Sequence, residues 1–290
     1  MNRSKFIYII SMLIFSTIGI FRKYVPLSSE FVAFTRGVIG VLFLVLFIIV
    51  SKKKIDKTSI KNNLLLLIIS GCFIGLNWLF LFESYKYTSV ATATLCYYMA
   101  PIFILLVSPI FLKEKLNKIN IVCIIAALIG MVLVSGIIEV GFNDLNTLKG
   151  VLFGLAAAIL YASVVIMNKK IKSISPYDKT IVQLSFASIV LVPYLLGTGG
   201  FSNLVFDRDS IIMLLIMGVI HTGLAYALFF GSMENISGQS IALFSYIDPV
   251  MAIVLSTIIL DERMTIIQAA GAVLILGFTL LNEYVSIKKK

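Results

Sequence analysis

The chain carries ten runs of apolar residues, each about as long as the hydrocarbon core of a bilayer is thick. A helix that crosses a bilayer needs roughly 20 predominantly apolar residues. The runs are continuous, whereas the strands of a transmembrane barrel alternate polar and apolar residues. The sequence therefore predicts an all-α integral membrane protein with ten transmembrane helices, over residues 6–25, 30–50, 62–84, 90–112, 119–138, 150–168, 177–197, 210–231, 238–260 and 265–285.

The charge content excludes the soluble alternatives. Only 13% of the 290 residues are charged and 60% are apolar, and the mean hydropathy is +1.05. A soluble domain carries about 25% charged residues, and a disordered chain is poor in apolar ones. This chain lacks the charged residues that a water-facing surface requires.

The lysines and arginines predict the orientation in the membrane. With the N-terminus in the cytoplasm, the cytoplasmic segments hold seventeen of them and the outer segments hold six. This is the bias of the positive-inside rule. We therefore expect a multi-pass protein of the cytoplasmic membrane with both termini in the cytoplasm. The positive charge is spread over short loops beside anionic lipid, so the bilayer is an expected partner and nucleic acid is not.

Residues for metal or cofactor chemistry are scarce. Cys72, Cys96 and Cys123 all lie inside apolar runs and have no disulfide or metal-ligand spacing. A single histidine excludes a multi-histidine metal site, and the chain has no Gly-rich phosphate loop. We expect no cofactor, no metal site and no catalytic residue.

The two halves of the chain repeat each other at an offset of 148 residues. The motif in common is Tyr-x-x-Pro followed thirteen residues later by Glu, and its matched positions are Tyr98 and Tyr246, Pro101 and Pro249, and Glu114 and Glu262. We predict a first repeat over residues 1–139 and a second over 149–290. Each holds five spans. Five is an odd number, so the second repeat crosses the membrane in the opposite direction, as in the inverted-topology repeats of secondary transporters.

These motifs resemble the drug/metabolite transporter superfamily, specifically its EamA-like ten-helix branch. The resemblance is carried by Phe82–Ser89, Pro101, Leu112–Leu116, Gly231–Met233, Pro249 and Leu260–Met264. It implies secondary transport of a small metabolite, and the family moves amino acids, amines, choline-like cations and purines among others. Arg36 also fits the family pattern, but its counterpart at offset 147 is Gln183, which departs from it.

Asp248 is the clearest candidate for binding chemistry. It lies near the middle of the ninth span, directly before Pro249. A charged side chain at that depth is costly and marks substrate or proton pathways. We interpret Asp248 as the counter-ion of a cationic group or as the carrier of a coupling proton. The alternative is a carboxyl group that bonds backbone freed by the proline.

Pro101 and Pro249 break matching spans. Each removes one backbone hydrogen bond, and helix breaks in corresponding spans point to a central site. A purely structural kink is the alternative.

Aromatic residues stand near these breaks. Trp78 has Tyr226 as its counterpart in the other half. With Tyr98, Tyr246 and Asp248 they would form an aromatic cage for an ammonium group. Ordinary packing is the alternative for all four rings.

Three further polar residues lie inside spans. Asn77 is a candidate ligand contact, His221 a candidate proton relay to Asp248, and Arg36 a candidate carboxylate ligand. Structural hydrogen bonds are the alternative for each.

The sequence thus favours a transporter of a small polar metabolite that works by alternating access, with an amine, a choline-like cation or an amino acid as substrate. A membrane-embedded enzyme lacks a recognisable catalytic constellation, and a non-transporting scaffold or receptor is the third alternative. The direction of transport and the coupling ion stay open.

Overall fold

The computed structural model describes residues 3–111, 116, 118–135, 138, 145–202, 204, 206–233, 244–245 and 247–288. No β-strand occurs among these residues. The helices are α1 (Arg3–Ser16), α2 (Ile18–Lys23), α3 (Ser29–Val50), α4 (Lys57–Asn62), α5 (Leu64–Tyr87), α6 (Val90–Tyr97), α7 (Ala100–Phe111), α8 (Lys118–Val134), α9 (Leu145–Lys170), α10 (Pro176–Gly197), α11 (Arg208–Leu215), α12 (Ala225–Met233), α13 (Ile247–Ile259) and α14 (Ile266–Lys288). A π-helix, Ile216–Leu224, joins α11 to α12.

Seven helical segments are long and apolar enough to cross a bilayer, namely Arg3–Lys23, Ser29–Val50, Leu64–Tyr87, Val90–Val107, Leu145–Asn168, Pro176–Gly197 and Arg208–Phe229. Three apolar helical segments are shorter, namely Lys118–Val134, Ile247–Ile259 and Ile266–Leu281. The prediction of an all-helical membrane protein is confirmed at this level.

Side-chain caps determine where several helices begin. Ser175 accepts a hydrogen bond from the backbone N–H of Asp178 at 3.1 Å, at the start of α10. Thr265 and Gln268 each accept from the other's backbone N–H, at 3.2 and 3.1 Å, which is the capping box that precedes α14. Asp56 caps α4, and bonds from the hydroxyl and backbone of Ser59 lower the pKa of its exposed carboxyl group.

Three segments depart from regular α-helix within the apolar spans. The first span bends at Thr17, whose backbone N–H bonds three residues back to Ile14. The predicted fourth span, 90–112, contains two helices that meet at Tyr98 and Met99, and Pro101 is the second residue of the second helix. The third departure is the π-helix, which the apolar run over 210–231 did not indicate.

Helices pack closely where glycine faces a neighbouring backbone. A Cβ atom on Gly75 of α5 would lie 2.3 Å from the carbonyl oxygen of Ala187 on α10. Gly130 of α8 and Gly271 of α14 face each other in the same way, with each Cβ position under 3 Å from the other's carbonyl oxygen. Small residues at such crossings let helix backbones approach in a membrane.

One end of the bundle, which we call the first end, is tied together by polar contacts. Glu262, in the loop between α13 and α14, accepts a hydrogen bond from the backbone N–H of Val90 at 2.7 Å and pairs with Lys23 at 3.4 Å. Lys149 at the start of α9 donates to the hydroxyl of Tyr87 at 3.0 Å. Four chain segments therefore meet at this end.

The opposite, second end is formed by the loops around residues 51–63 and 171–178. The backbone N–H of Asp56 donates to Asp178 at 3.2 Å, and the Asn63 side chain donates to the carbonyl of Lys172 at 3.0 Å. Contacts between loops that are distant in sequence therefore tie together the second end as well as the first.

We predict that Gly75→Ala destabilises the protein, because the new methyl group meets the backbone of α10. Such overpacking costs about 1–3 kcal/mol. The midpoint of thermal unfolding in detergent should fall.

Gly277→Ala is the matched control. Gly277 is also inside a helix, but no atom lies within 4 Å of its Cβ position. Replacement of a helical glycine by alanine stabilises by roughly 0.5–1 kcal/mol when space allows. Equal melting points for the two variants would contradict the packing described above.

Candidate functional site

A cavity of about 540 Å³ lies inside the bundle. It extends from Val90 near the first end to Asn168 and Thr180 near the second end. Seven of the residues singled out from the sequence line it, namely Arg36, Asn77, Trp78, Tyr98, Pro101, Tyr226 and Asp248. These residues come from five different helical segments and one helix break. The fold therefore brings together positions that are far apart in the chain.

Asp248 is held by one hydrogen bond. The hydroxyl of Tyr98 donates to its Oδ2 atom at 2.7 Å. Tyr98 stands at the break between α6 and α7, and Asp248 lies in the first turn of α13. The bond therefore joins the break between α6 and α7 to the start of α13. No basic residue of the described chain forms an ion pair with Asp248.

Arg36 is almost fully buried, with 4% of its surface exposed. Its Nε atom donates to the hydroxyl of Thr222 at 3.0 Å. Its guanidinium lies over the ring of Trp78, 4.1 Å from the centroid, and 5.4 Å from that of Phe82. No acidic residue of the described chain pairs with it. A buried cation thus has only neutral partners.

This stacking affects the predicted aromatic cage. The guanidinium of Arg36 already covers one face of Trp78. Tyr226 lines the cavity, and its ring meets the edge of Phe15 at 5.4 Å. Tyr246 lies outside the described residues. Trp78, Tyr226 and Tyr98 therefore share the cavity with Asp248, but the covered face of Trp78 is closed to a ligand.

The remaining polar candidates have protein partners. The side-chain amide of Asn77 donates to the carbonyl of Ala157 at 2.6 Å, and this bond ties α5 to α9. Gln183, the counterpart of Arg36, donates to Ser70 at 2.7 Å and to Asn168 at 2.8 Å. Both residues line the cavity while they also hold helices together.

His221 is not brought to Asp248. It is not among the residues that line the cavity. A hydrogen bond of 2.8 Å joins its Nε2 atom to the hydroxyl of Thr17, and its Nδ1 atom lies 3.3 Å from the carbonyl of Ile216. Its ring packs against Phe21 at 4.8 Å. These contacts are of the kind expected for the alternative, a histidine held by structural hydrogen bonds.

The two prolines differ in their position relative to the cavity. Pro101 is the second residue of α7 and lines the cavity next to the helix break. Pro249 is the third residue of α13, is buried, and does not line the cavity.

Sequence reasoning missed several residues of the site. Tyr85, Tyr97 and Tyr161 line the cavity, and Thr222 holds Arg36. Tyr85 stands in the motif that carries the family resemblance, and Tyr97 precedes Tyr98, so both had a signal nearby. Thr222 had none, because its role depends on the π-helix.

The described residues contain no group of three or more His, Cys, Asp or Glu side chains that could hold a metal ion. Cys96 and Cys123 are free and buried, and Cys72 is free and half-buried. Within this part of the chain, the cavity is therefore lined by one carboxylate, one guanidinium, three side-chain amides and a set of hydroxyl and aromatic groups.

Comparison with protein families gives two matches along the chain. Residues 4–136 and residues 148–283 each match the EamA-like transporter family. A relative in Bacillus subtilis (strain 168), named uncharacterized transporter YxxF, is 36% identical over 270 residues, which are 92% of this chain and 85% of that protein. A probable amino-acid metabolite efflux pump of Salmonella typhimurium (strain LT2) is 27% identical over 216 residues, 71% of each protein.

A solved structure shares the fold. The crystal structure of a protein with 16% sequence identity superposes with a TM-score of 0.64 and covers 97% of both chains. At this identity the likeness concerns the fold alone.

Proposed function

The chain belongs to the EamA-like transporter family, and we propose that it is a secondary transporter that moves a zwitterionic amine, with an amino acid as the simplest case, by alternating access. The family and its named relatives point to a transporter rather than an enzyme. The observation that carries the choice of substrate is the presence of Arg36 and Asp248 in one cavity, neither paired with an opposite charge among the described residues.

We propose that the fold consists of ten spans in two inverted repeats, residues 1–139 and 149–290. The helix packing supports this proposal. Helix α5 packs on α9 and α10, while their counterparts in the other half pack as the π-helix with α12 on α1 and α3. Helices α8 and α14, which would be equivalent, pack on each other. Exchange of the two halves converts the contacts of α5 into those of the π-helix and α12, and it converts the pair of α8 and α14 into itself.

We propose that the protein lies in the cytoplasmic membrane, with both termini in the cytoplasm. The lysine-rich loops of the second end then face the cytoplasm, in agreement with the positive-inside rule. The first end, with Glu262, faces outward.

A zwitterion accounts for both charges of the cavity. Buried charges are costly unless they are paired, and ionisable groups within membrane helices mark substrate pathways. A substrate carboxylate would pair with Arg36 and a substrate ammonium with Asp248. A choline-like cation would leave Arg36 without a counter-charge, so we rank it second.

The same carboxyl group is our candidate for a coupling proton. Among the described residues that line the cavity, Asp248 is the only acidic one. Intramembrane acids serve as proton carriers in many transporters.

We predict that Asp248→Asn and Arg36→Gln each weaken binding of an amino acid by ~30-fold or more, because each leaves one substrate charge unpaired. Binding is measured by the fluorescence of Trp78, the chain's single tryptophan, which lines the cavity. The probes are an amino acid panel, the corresponding decarboxylated amines and the corresponding deaminated acids.

The two variants should fail differently. Asp248→Asn should remove the preference for ligands with an ammonium group, and Arg36→Gln the preference for those with a carboxylate. Asp261→Asn and Arg263→Gln make the same chemical changes in an ion pair whose side chains are 81% and 83% exposed, and they should leave binding unchanged. Tightest binding of amines that lack a carboxylate would refute the zwitterion proposal in favour of a cation carrier.

We further predict that Glu262→Gln opens the first end. The substitution removes the charge that pairs with Lys23 and weakens the bond to the N-terminus of α6. Labelling of a cysteine placed at Thr94, which lines the cavity, by a membrane-impermeant thiol reagent from the outer side should rise several-fold, in a background without the native cysteines.

Glu83→Gln is the control. The Glu83 side chain has the same exposure as that of Glu262, 16%, and pairs with Lys86 within one helix instead of between segments. In the Glu83→Gln variant, the cysteine at position 94 should be labelled at the same rate as in the protein that keeps both glutamates. If Glu262→Gln labels no faster than Glu83→Gln, the contacts of Glu262 do not hold this end closed.

A further inference from the structure

The π-helix over Ile216–Leu224 is present in only one of two matching segments. At the offset of 148 residues it corresponds to residues 68–76, which are regular α-helix within α5. π-helical turns are rare and often occur at functional sites. The difference between the halves therefore calls for a local reason.

That reason lies in the contacts of Thr222. Its hydroxyl donates to the carbonyl of Met217, five residues back, at 2.9 Å. The same oxygen accepts from Nε of Arg36 at 3.0 Å. Thr222 is fully buried, with 0% exposure. The wide turn thus places a hydroxyl group, with its proton directed to the backbone, against the arginine of the cavity.

Close packing fixes this hydroxyl relative to Arg36. A Cβ atom on Gly40, one helical turn after Arg36 in α3, would lie 2.4 Å from Cγ2 of Thr222. A Cβ atom on Gly218 would lie 2.5 Å from Ile39 of the same helix. Helix α3 and the π-helix therefore pack in close contact on both sides of Thr222, which keeps its backbone next to Arg36.

We propose that Thr222 is a positioning residue for the carboxylate of the substrate. With Nε held by Thr222 and one face held by Trp78, the plane of the guanidinium is determined. Nη1 and Nη2 donate no hydrogen bond to the described residues, and they are the paired donors that suit a carboxylate. This inference rests on the proposed function, because it assigns the carboxylate end of a zwitterion to Arg36.

The test compares Thr222→Val, which keeps the shape but lacks the hydroxyl, with Thr222→Ser, which keeps the hydroxyl. Thr222→Val should weaken binding of the amino acid about tenfold, the effect of losing one hydrogen bond to a charged group. Binding of the decarboxylated amine should not change. Thr222→Ser should restore the amino acid affinity.

Thr279→Val is the matched control. Thr279 is buried, its hydroxyl donates to the carbonyl of Ile275 in its own helix, and it is not among the residues that line the cavity. The change should alter neither affinity. In an Arg36→Gln background, Thr222→Val should have no further effect on the ratio of amino acid to amine affinity, because the group it positions is absent.

A measurement without ligand separates this inference from the proposed function. If Thr222 holds Arg36 on Trp78, Thr222→Val should shift the Trp78 emission in the direction that Arg36→Gln shifts it, and Thr222→Ser should not. An unchanged emission overturns the inference whatever the substrate is. Equal weakening of amino acid and amine binding also overturns it, since that indicates a structural role. If the parent protein prefers amines to amino acids while the emission shifts as expected, the zwitterion proposal fails and the positioning of Arg36 stands.

Discussion

The absence of water in the hydrocarbon core is the constraint on which this structure depends. A backbone group that leaves the helical pattern there must find its partner within the protein. The three departures from α-helix, at Thr17, at Tyr98–Met99 and over Ile216–Leu224, all lie against the cavity or against residues that hold it. Thr17 bonds His221, Tyr98 bonds Asp248, and Thr222 bonds both its own backbone and Arg36. Irregular backbone and buried polar side chains are therefore concentrated in one region of the described residues.

The sequence could predict the helical frame because hydrophobic length and capping chemistry are local properties. The start of α10 at Ser175 and the capping box at Thr265 follow from residues three positions apart. The break before Pro101 follows from a missing donor. The stacking of Arg36 on Trp78 could not be predicted, since it joins helices 42 positions apart in sequence through a packing register that no local pattern encodes. The π-helix had no signal either, since it packs on α3, which is distant in sequence, and no local pattern indicates that contact.

Under the proposed two-repeat architecture, the duplication accounts for the helices that surround the site and not for its charged residues. The two halves supply similar helices and similar glycine contacts, with Gly75 packed against α10 and its counterpart Gly223 packed against Phe43 of α3. The charged residues break this symmetry. Arg36 belongs to the first half, where the second has Gln183, and Asp248 belongs to the second half, where the first has Ala100. A symmetric frame with unlike charges suits a ligand whose two ends differ, and this supports the choice of a zwitterion over a simple cation.

Helices α6 and α13 connect the site to the first end. Their antiparallel pair is joined at one end by the bond between Glu262 and the backbone of Val90 and at the other by the bond between Tyr98 and Asp248. Glu262 follows the end of α13, and Asp248 lies in its first turn, about 16 Å away from the last residue of that helix at 1.5 Å per residue. Under the proposed function, a substrate ammonium competes with the Tyr98 hydroxyl for the carboxylate of Asp248. Substrate binding then weakens the bond between Tyr98 and Asp248, which joins α6 to α13. The other bond between these two segments, from Val90 to Glu262, holds the first end closed. Occupancy of the cavity and opening of the first end therefore act on the same two helices.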